Sequence, residues 1–427
     1  MHRPKRLESE QKTSAILVDL LFSTGLTPCM LRANAPKVSA NRITQIALAD
    51  GCKIRRQQQS REIIERPMHH AAAKYLVWLM TGLLAAIQPA AAGGLSFLPD
   101  RDDAYLTFYL DNDLFAGTDS NYTNGVRLSW VSGTRDPEAF GAVQHQLRKL
   151  SGDADSRAIF QRLSGFEDPG EVEYNYGFSL TQLMFTPEDT HAPVAPPGQR
   201  PYAGWLGIDF SLHTKDAHAI NSVVLAIGTT GPNALAKQTQ DFVHDIRGID
   251  KFQGWDSQVP NELTVNLYYK QKRRLTFLET GLGNFAVDGF GEWQVALGNF
   301  LVAAQMGALL RFGWNLPVDF SDPRLSVTAY TLQPFATRRR QQRSWSLYGL
   351  AGALGAAVAH NITLDGPVFR DHDTGVTGEP FVGELYVGFG IRYRRMEFGY
   401  IHTFRSKEFS EQESAQRFGS IAVTYRF

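Results

Sequence analysis

Cysteine is nearly missing from this chain: its 427 residues contain two, Cys29 and Cys52, and none after them. Everything downstream therefore lacks disulfides, a thiolate nucleophile and a zinc–thiolate centre. Charge of one sign is lacking too, since 43 basic residues meet 43 acidic ones. Binding a nucleic-acid backbone needs a basic excess, so the balance argues against nucleic acid as a partner. Apart from one segment at residues 75–87, no apolar run is long enough to raise the question of a spanning helix. Mean hydropathy is slightly negative, which taken alone reads as an ordinary soluble enzyme. A transmembrane barrel gives the same average, because lumen-facing polar residues cancel lipid-facing apolar ones.

What is there begins with an export signal. Met68 is followed by a weakly basic head, the apolar run Tyr75 to Ile87, and an Ala-x-Ala site ending at Ala92. That run is too short for an anchor and fits a secretory signal peptide over 68–92. Residues 1–67 are basic, polar and irregular. They read as an over-extended start, with a disordered leader as the alternative. The expected organisation is thus an extension at 1–67, a signal at 68–92 and one domain at 93–427.

That domain reads as strands. In the closing stretch Gly419 to Phe427, Ile421, Val423, Tyr425 and Phe427 share one face while Ala422, Thr424 and Arg426 share the other. Period-two alternation ending on a C-terminal aromatic is the pattern of a bacterial outer-membrane barrel. About twelve segments qualify: 103–115, 122–134, 174–186, 202–214, 219–231, 262–272, 274–287, 304–315, 343–360, 381–394, 396–408 and 417–427. The expectation is an all-β, transmembrane antiparallel barrel of about twelve strands with short loop helices, located in the Gram-negative outer membrane and monomeric. An even count places both termini in the periplasm, so the first, third, fifth and later odd connections face outward. Tyr202, Trp205, Tyr268, Tyr269, Tyr393 and Tyr425 are expected in the interfacial girdles. Two inward connections, 135–173 and 316–342, are long enough to hide small helices or a missed strand pair.

This topology gathers the unusual polar residues on the outer rim. Strand 1 ends in Leu110-Asp111-Asn112-Asp113-Leu114-Phe115, and strand 2 opens with Tyr122-Thr123-Asn124-Gly125. The next outward connection leads through Arg200 into Tyr202-Ala203-Gly204-Trp205. The third holds a helix-forming run with His244, stopped by Gly248. In this order the motifs resemble the outer-membrane lipid A 3'-O-deacylases (LpxR-like), over essentially the whole of 93–427.

The resemblance implies a twelve-stranded barrel that removes the 3'-acyloxyacyl group of lipid A, within lipopolysaccharide, with Ca2+. Carried over, Asn112 and Asp113 match the family's Asn-Asp pair, Thr123 its strand-2 hydroxyl and His244 its catalytic histidine. Histidine is the base available near pH 7 without a large shift, and Asp113 offers the oxygen that calcium demands. The chain departs from the family at two places. Residues 187–201 contain no lysine, which leaves Arg200 as the cation there and the candidate for substrate binding. Phe252 stands where the family has a tyrosine. The alternatives are a non-enzymatic pore or scaffold, and a phospholipase A-type esterase using Ser129 and His402, the latter expected to line the lumen. Asn-Asp at a strand end also reads as turn chemistry, and Arg338, Arg339, Arg340 and Arg343 as a solvated inner turn. A pore requires a conducting lumen; an esterase is expected to have a plugged one.

Overall fold

The computed structural model describes residues 104–113, 121–134, 172–320, 324 and 344–427. The expected extension, signal peptide, Arg338–Arg340 cluster and most of both long inner connections lie outside the described residues. Among the described residues there are thirteen strands: β1 (Tyr105–Asn112), β2 (Asn121–Val131), β3 (Glu173–Thr186), β4 (Ala203–Lys215), β5 (Ala219–Thr230), β6 (Leu263–Arg274), β7 (Thr280–Leu282), β8 (Phe285–Gly298), β9 (Leu301–Trp314), β10 (Trp345–Asn361), β11 (Phe381–Tyr393), β12 (Met396–Arg405) and β13 (Gln416–Arg426). Two α-helices among the same residues, α1 (Ala236–Arg247) and α2 (Ile362–Asp365), lie in connections of the rim called outer here.

Each strand pairs antiparallel with its neighbour, and β1–β13 and β6–β8 pairings complete the ring. The three-residue β7 folds back on β8, so twelve strands make the wall. Closure matters because hydrocarbon offers no water to an open edge.

Burial along the strands is inverted relative to a soluble sheet. Leu128, Leu180, Ile208, Ile227 and Val265 form one lateral rank across β2–β6, and all five are exposed. Their sequence neighbours Arg127, Ser129, Ser179 and Asp209 are buried. The wall therefore presents apolar side chains to lipid and polar ones to the lumen.

Those lumen charges are paired with one another. Arg127 meets Asp209 at 2.9 Å, and Arg405 meets Glu384 at 2.7 Å. Glu292 lies 3.1 Å from Lys270 and 2.7 Å from Arg324. Towards the inner rim Arg311 bridges Asp288 and Asp319 at 2.6 and 2.7 Å, and Arg392 reaches Asp319 and Glu397. A buried charge is tolerated only with such partners, and several of these pairs join residues on neighbouring strands, such as Glu384 with Arg405 and Asp288 with Arg311.

Several expectations need correction. The seventh wall strand is Phe285–Gly298, not 274–287. Residues 275–284 form a 3-10 turn, Thr276–Leu278, and then β7. Phe277 and Leu282, both exposed, give that turn the apolar content of a strand. The true strand hides its signal by placing Asp288, Glu292 and Gln294 in the lumen. The following strand starts at Leu301, after Asn299 and Phe300, rather than at 304. Tyr202, Trp205 and Tyr268 are buried, not girdle residues, whereas Tyr393 is exposed. His402 faces outward, because Ile401, Thr403 and Arg405 take the buried side of β12. The ring closes without a further strand pair.

Candidate active site on the outer face of the wall

Register places Asn112, Asn124, Met184 and Gly204 side by side on β1, β2, β3 and β4. This rank lies four residues above the exposed Leu128–Leu180–Ile208 rank, about 13 Å nearer the outer rim. Four residues preserve the face, so the rank is on the lipid side of the wall. A bulge in β2 between Tyr122 and Asn124 makes this arrangement. Thr123 is the extra residue, and the kink sends Tyr122 into the lumen cluster with Phe185 and Trp205 while Asn124 faces out. Bulges commonly re-aim a side chain in this way beside functional sites.

Helix α1 lies over this rank. At Gly204 a side chain would put its Cβ 2.6 Å from the Ala236 Cβ, so only glycine lets the helix approach this closely. Gln182 donates to the Ala234 carbonyl at 2.7 Å, and α1 packs against β4 and β3. Ala236, Gln240 and His244, four residues apart, form its buried stripe. Trp255 Nε1 donates to Gln240 Oε1 at 2.5 Å, and Met184, Tyr202, Ala236, Phe252 and Trp255 pack as one apolar cluster. Eight residues of helix span about 12 Å, so a course from β4 across β3 carries His244 towards the strands bearing Asn124 and Asn112.

The helix end then fixes the histidine. Gly248 adopts φ 66°, and the Ile249 amide returns to the His244 carbonyl at 3.1 Å. This left-handed cap turns the chain back under the ring. His244 Nδ1 donates to the Asp250 carbonyl at 2.6 Å, and Phe252 stands edge-on to the imidazole at 4.7 Å. A carbonyl can only accept, so Nδ1 carries the proton and Nε2 is left as the basic nitrogen. The departure from tyrosine thus leaves an apolar support beside the ring.

The other halves of the same motifs point inward. Tyr122 donates to Asp111 Oδ2 at 3.1 Å, and a Cβ on Gly125 would lie 2.1 Å from the Tyr122 oxygen. Trp205 lies over Gly207 and Gly228 and donates to Thr264 at 2.8 Å. Arg200 is fully buried, stacked 4.3 Å from the Phe185 ring centroid, and donates to Glu408 at 2.8 Å and Thr363 at 2.7 Å. The structure therefore places the expected substrate-binding cation in the buried interior of the outer rim, where it ties the connection before β4 to Thr363 of α2 and Glu408 after β12. Burial pulls the Arg200 guanidinium below its usual value, and Glu408 counteracts part of that. Burial also pushes the Glu408 carboxyl up, but Arg200 and then Arg405 outweigh it and hold it below the usual carboxylate value. Ser129 bonds Ser179 at 2.8 Å in the lumen, so it and His402 lie on opposite faces of the wall.

Oxygen is the donor chemistry of the Asn112 corner. Asp113 is fully buried directly after β1, and Asn112 and Asn124 add two amide oxygens. The Asn124 Oδ1 atom is buried with no hydrogen-bond partner, a condition that a cation or substrate donor would relieve. No group of three or more His, Cys, Asp or Glu able to hold a metal occurs among the described residues. The set fits a hard cation completed by water or substrate oxygens, and does not fit zinc. Asn124 was named in the strand-2 motif but given no role, because a plain alternation cannot locate a bulge.

This is an outer-membrane β-barrel, crossing the membrane by its twelve wall strands. The chain belongs to the outer membrane protein LpxR family, whose profile matches residues 77–427. Among solved structures it is similar to LpxR from Salmonella typhimurium, with 17% identity, a TM-score of 0.59, and coverage of 76% of this chain and 100% of that one. The beta domain of the Bordetella autotransporter BrkA also aligns, at 8% identity and a TM-score of 0.35 over 77% of this chain and 99% of that one. No curated protein sequence matches the chain.

Proposed function

We propose that this protein is an outer-membrane esterase that hydrolyses the 3'-acyloxyacyl ester of lipid A. The observation that carries the reading is the polar rank Asn112–Asn124 on the lipid face of the wall, with a tautomer-fixed histidine on the helix above it. In this reading His244 Nε2 takes the proton of the attacking water, while Nδ1 stays bonded to the Asp250 carbonyl as the imidazolium forms. Asn112 and Asn124 orient the ester from the wall, and α1 keeps bulk water from the cleft. Ca2+, held through Asp113 with the two amide oxygens, would polarise the ester carbonyl and stabilise the developing oxyanion. A pore is the weaker reading, because the lumen-facing charges of the described wall are buried and ion-paired.

Mass spectrometry of lipid A from cells expressing the wild type or Asp113→Asn tests this. The wild type should release the 3'-linked chains, and EGTA should stop the reaction in membranes until calcium is restored. Asp113→Asn should require much more calcium or be inactive. Unchanged lipid A in wild-type cells would overturn the reading. Full activity in chelator would remove the ion from it.

A further inference from the structure

Helix α1 carries three stripes, each one turn apart along its length. Ala236, Gln240 and His244 face the wall. Lys237, Asp241 and Asp245 form a charged stripe, tied to the adjoining loop by Lys237–Asp256 and Lys251–Asp245 pairs at 2.9 Å. The third is built of Phe242, Val243 and Ile246, flanked by Leu235 at the N-cap and by Ile249 just past the Gly248 cap, and all five are exposed, Phe242 to 65% and Ile246 to 52%. Loop helices that meet water do not normally display such a row.

The surface beneath says what covers it. Down the wall from the rank under α1, the next rank of Val126, Gln182, Leu206 and Thr229 is half-buried, and the one below it is the exposed Leu128–Leu180–Ile208–Ile227 rank. Beside the helix, Leu263 at the outer start of β6 is 69% exposed. The fully exposed apolar band thus comes within one rank of the row under the helix, and that intervening rank mixes Val126 and Leu206 with Gln182 and Thr229. A helix with separate apolar, charged and docked faces at the edge of such a band is built to lie in a membrane interface.

We propose that α1 is half-immersed in the outer leaflet, its Phe242–Val243–Ile246 stripe among acyl chains and its Lys237–Asp241–Asp245 stripe in the headgroup water. The cleft holding His244 then opens sideways, and an acylated ligand reaches it by lateral diffusion in the leaflet. The immersion stands on helix geometry alone and holds whether or not the protein hydrolyses an ester.

Two cysteines in the whole chain make the test direct. In the full chain with Cys29→Ser and Cys52→Ser, bimane is attached through Phe242→Cys, Ile246→Cys, Asp241→Cys or Asp245→Cys. The protein is then reconstituted in phosphatidylcholine–phosphatidylglycerol vesicles. Lipids brominated on their acyl chains should quench the label at 242 and 246 by about twofold or more and spare 241 and 245, while aqueous iodide should do the reverse. Iodide quenching at 242 and 246 without bromine quenching would overturn the immersion. So would protection of those positions from both quenchers, or disulfide-linked dimers through Phe242→Cys, since either means that protein covers the stripe.

Discussion

On the lumen side of β1–β4, Asp111, Tyr122 and Trp205 are sealed among ion pairs and glycines, and each has a partner within the barrel. On the lipid side of the same strands, Asn112, Asn124, Met184 and Gly204 form one rank, and helix α1 with its leading turn packs over Gly204. The two sets come from the same short motifs, in alternation. One face spends its polar residues on holding the barrel shut; in the proposed reading the other keeps them for chemistry at the membrane. Removing an outer-face group should therefore cost rate, and removing a lumen group should cost stability.

The sharpest way to break this contrast is His244→Ala. Loss of the base should lower lipid A hydrolysis by about 10²–10⁴-fold, with the heat-modifiable folded band unchanged on gels. The ring stands edge-on to Phe252 and bonds a loop carbonyl, and among the described residues no strand pairing or lumen ion pair depends on it, so the barrel should stay folded. Turnover within a few-fold of wild type would dismiss His244 as the base. A lost folded band would mean that the outer face is structural after all.

The lumen counterpart is Arg405→Met, which keeps bulk but leaves Glu384 and Glu408 short of a cation. Breaking a buried pair in this way costs about 3–5 kcal/mol, read as a lower urea midpoint in detergent. The fraction that remains folded should turn over normally. Wild-type stability, or inactive folded protein, would erase the distinction between the faces.

Much of this was legible in sequence where one signal dominated. Strands such as Phe381–Tyr393 alternate cleanly because each outward residue must be apolar, and the strand order was enough to put Asn112 and His244 at the same rim. The misplaced seventh strand shows the limit. A wall strand with Asp288, Glu292 and Gln294 inside looks less strand-like than an exposed apolar turn with Phe277 and Leu282. Arg200 failed differently: a lone cation beside a site suggests binding, but only the fold reveals that Glu408, 208 residues away, already holds it. Asn124 needed the bulge at Thr123, which leaves no compositional mark.

The smallest expected effect separates helix position from helix chemistry. Gly204→Ala alters no group proposed to touch substrate, yet its Cβ would sit 2.6 Å from the Ala236 Cβ and 3.2 Å from that of Ala234. Neither neighbour can rotate away, so the start of α1 must lift until ordinary carbon contacts near 4 Å are restored. The wall beneath keeps every backbone hydrogen bond, so the folded band and the urea midpoint should stay close to wild type. A displacement of about 1 Å at a reacting group costs up to roughly a hundredfold in rate. His244 lies two turns from the lifted end and is tethered through Asp250, so a loss nearer tenfold is expected, with kcat falling more than KM rises. Unchanged kcat would show that α1 does not position the histidine from the wall, and the contrast between the two faces would then rest on the side chains alone.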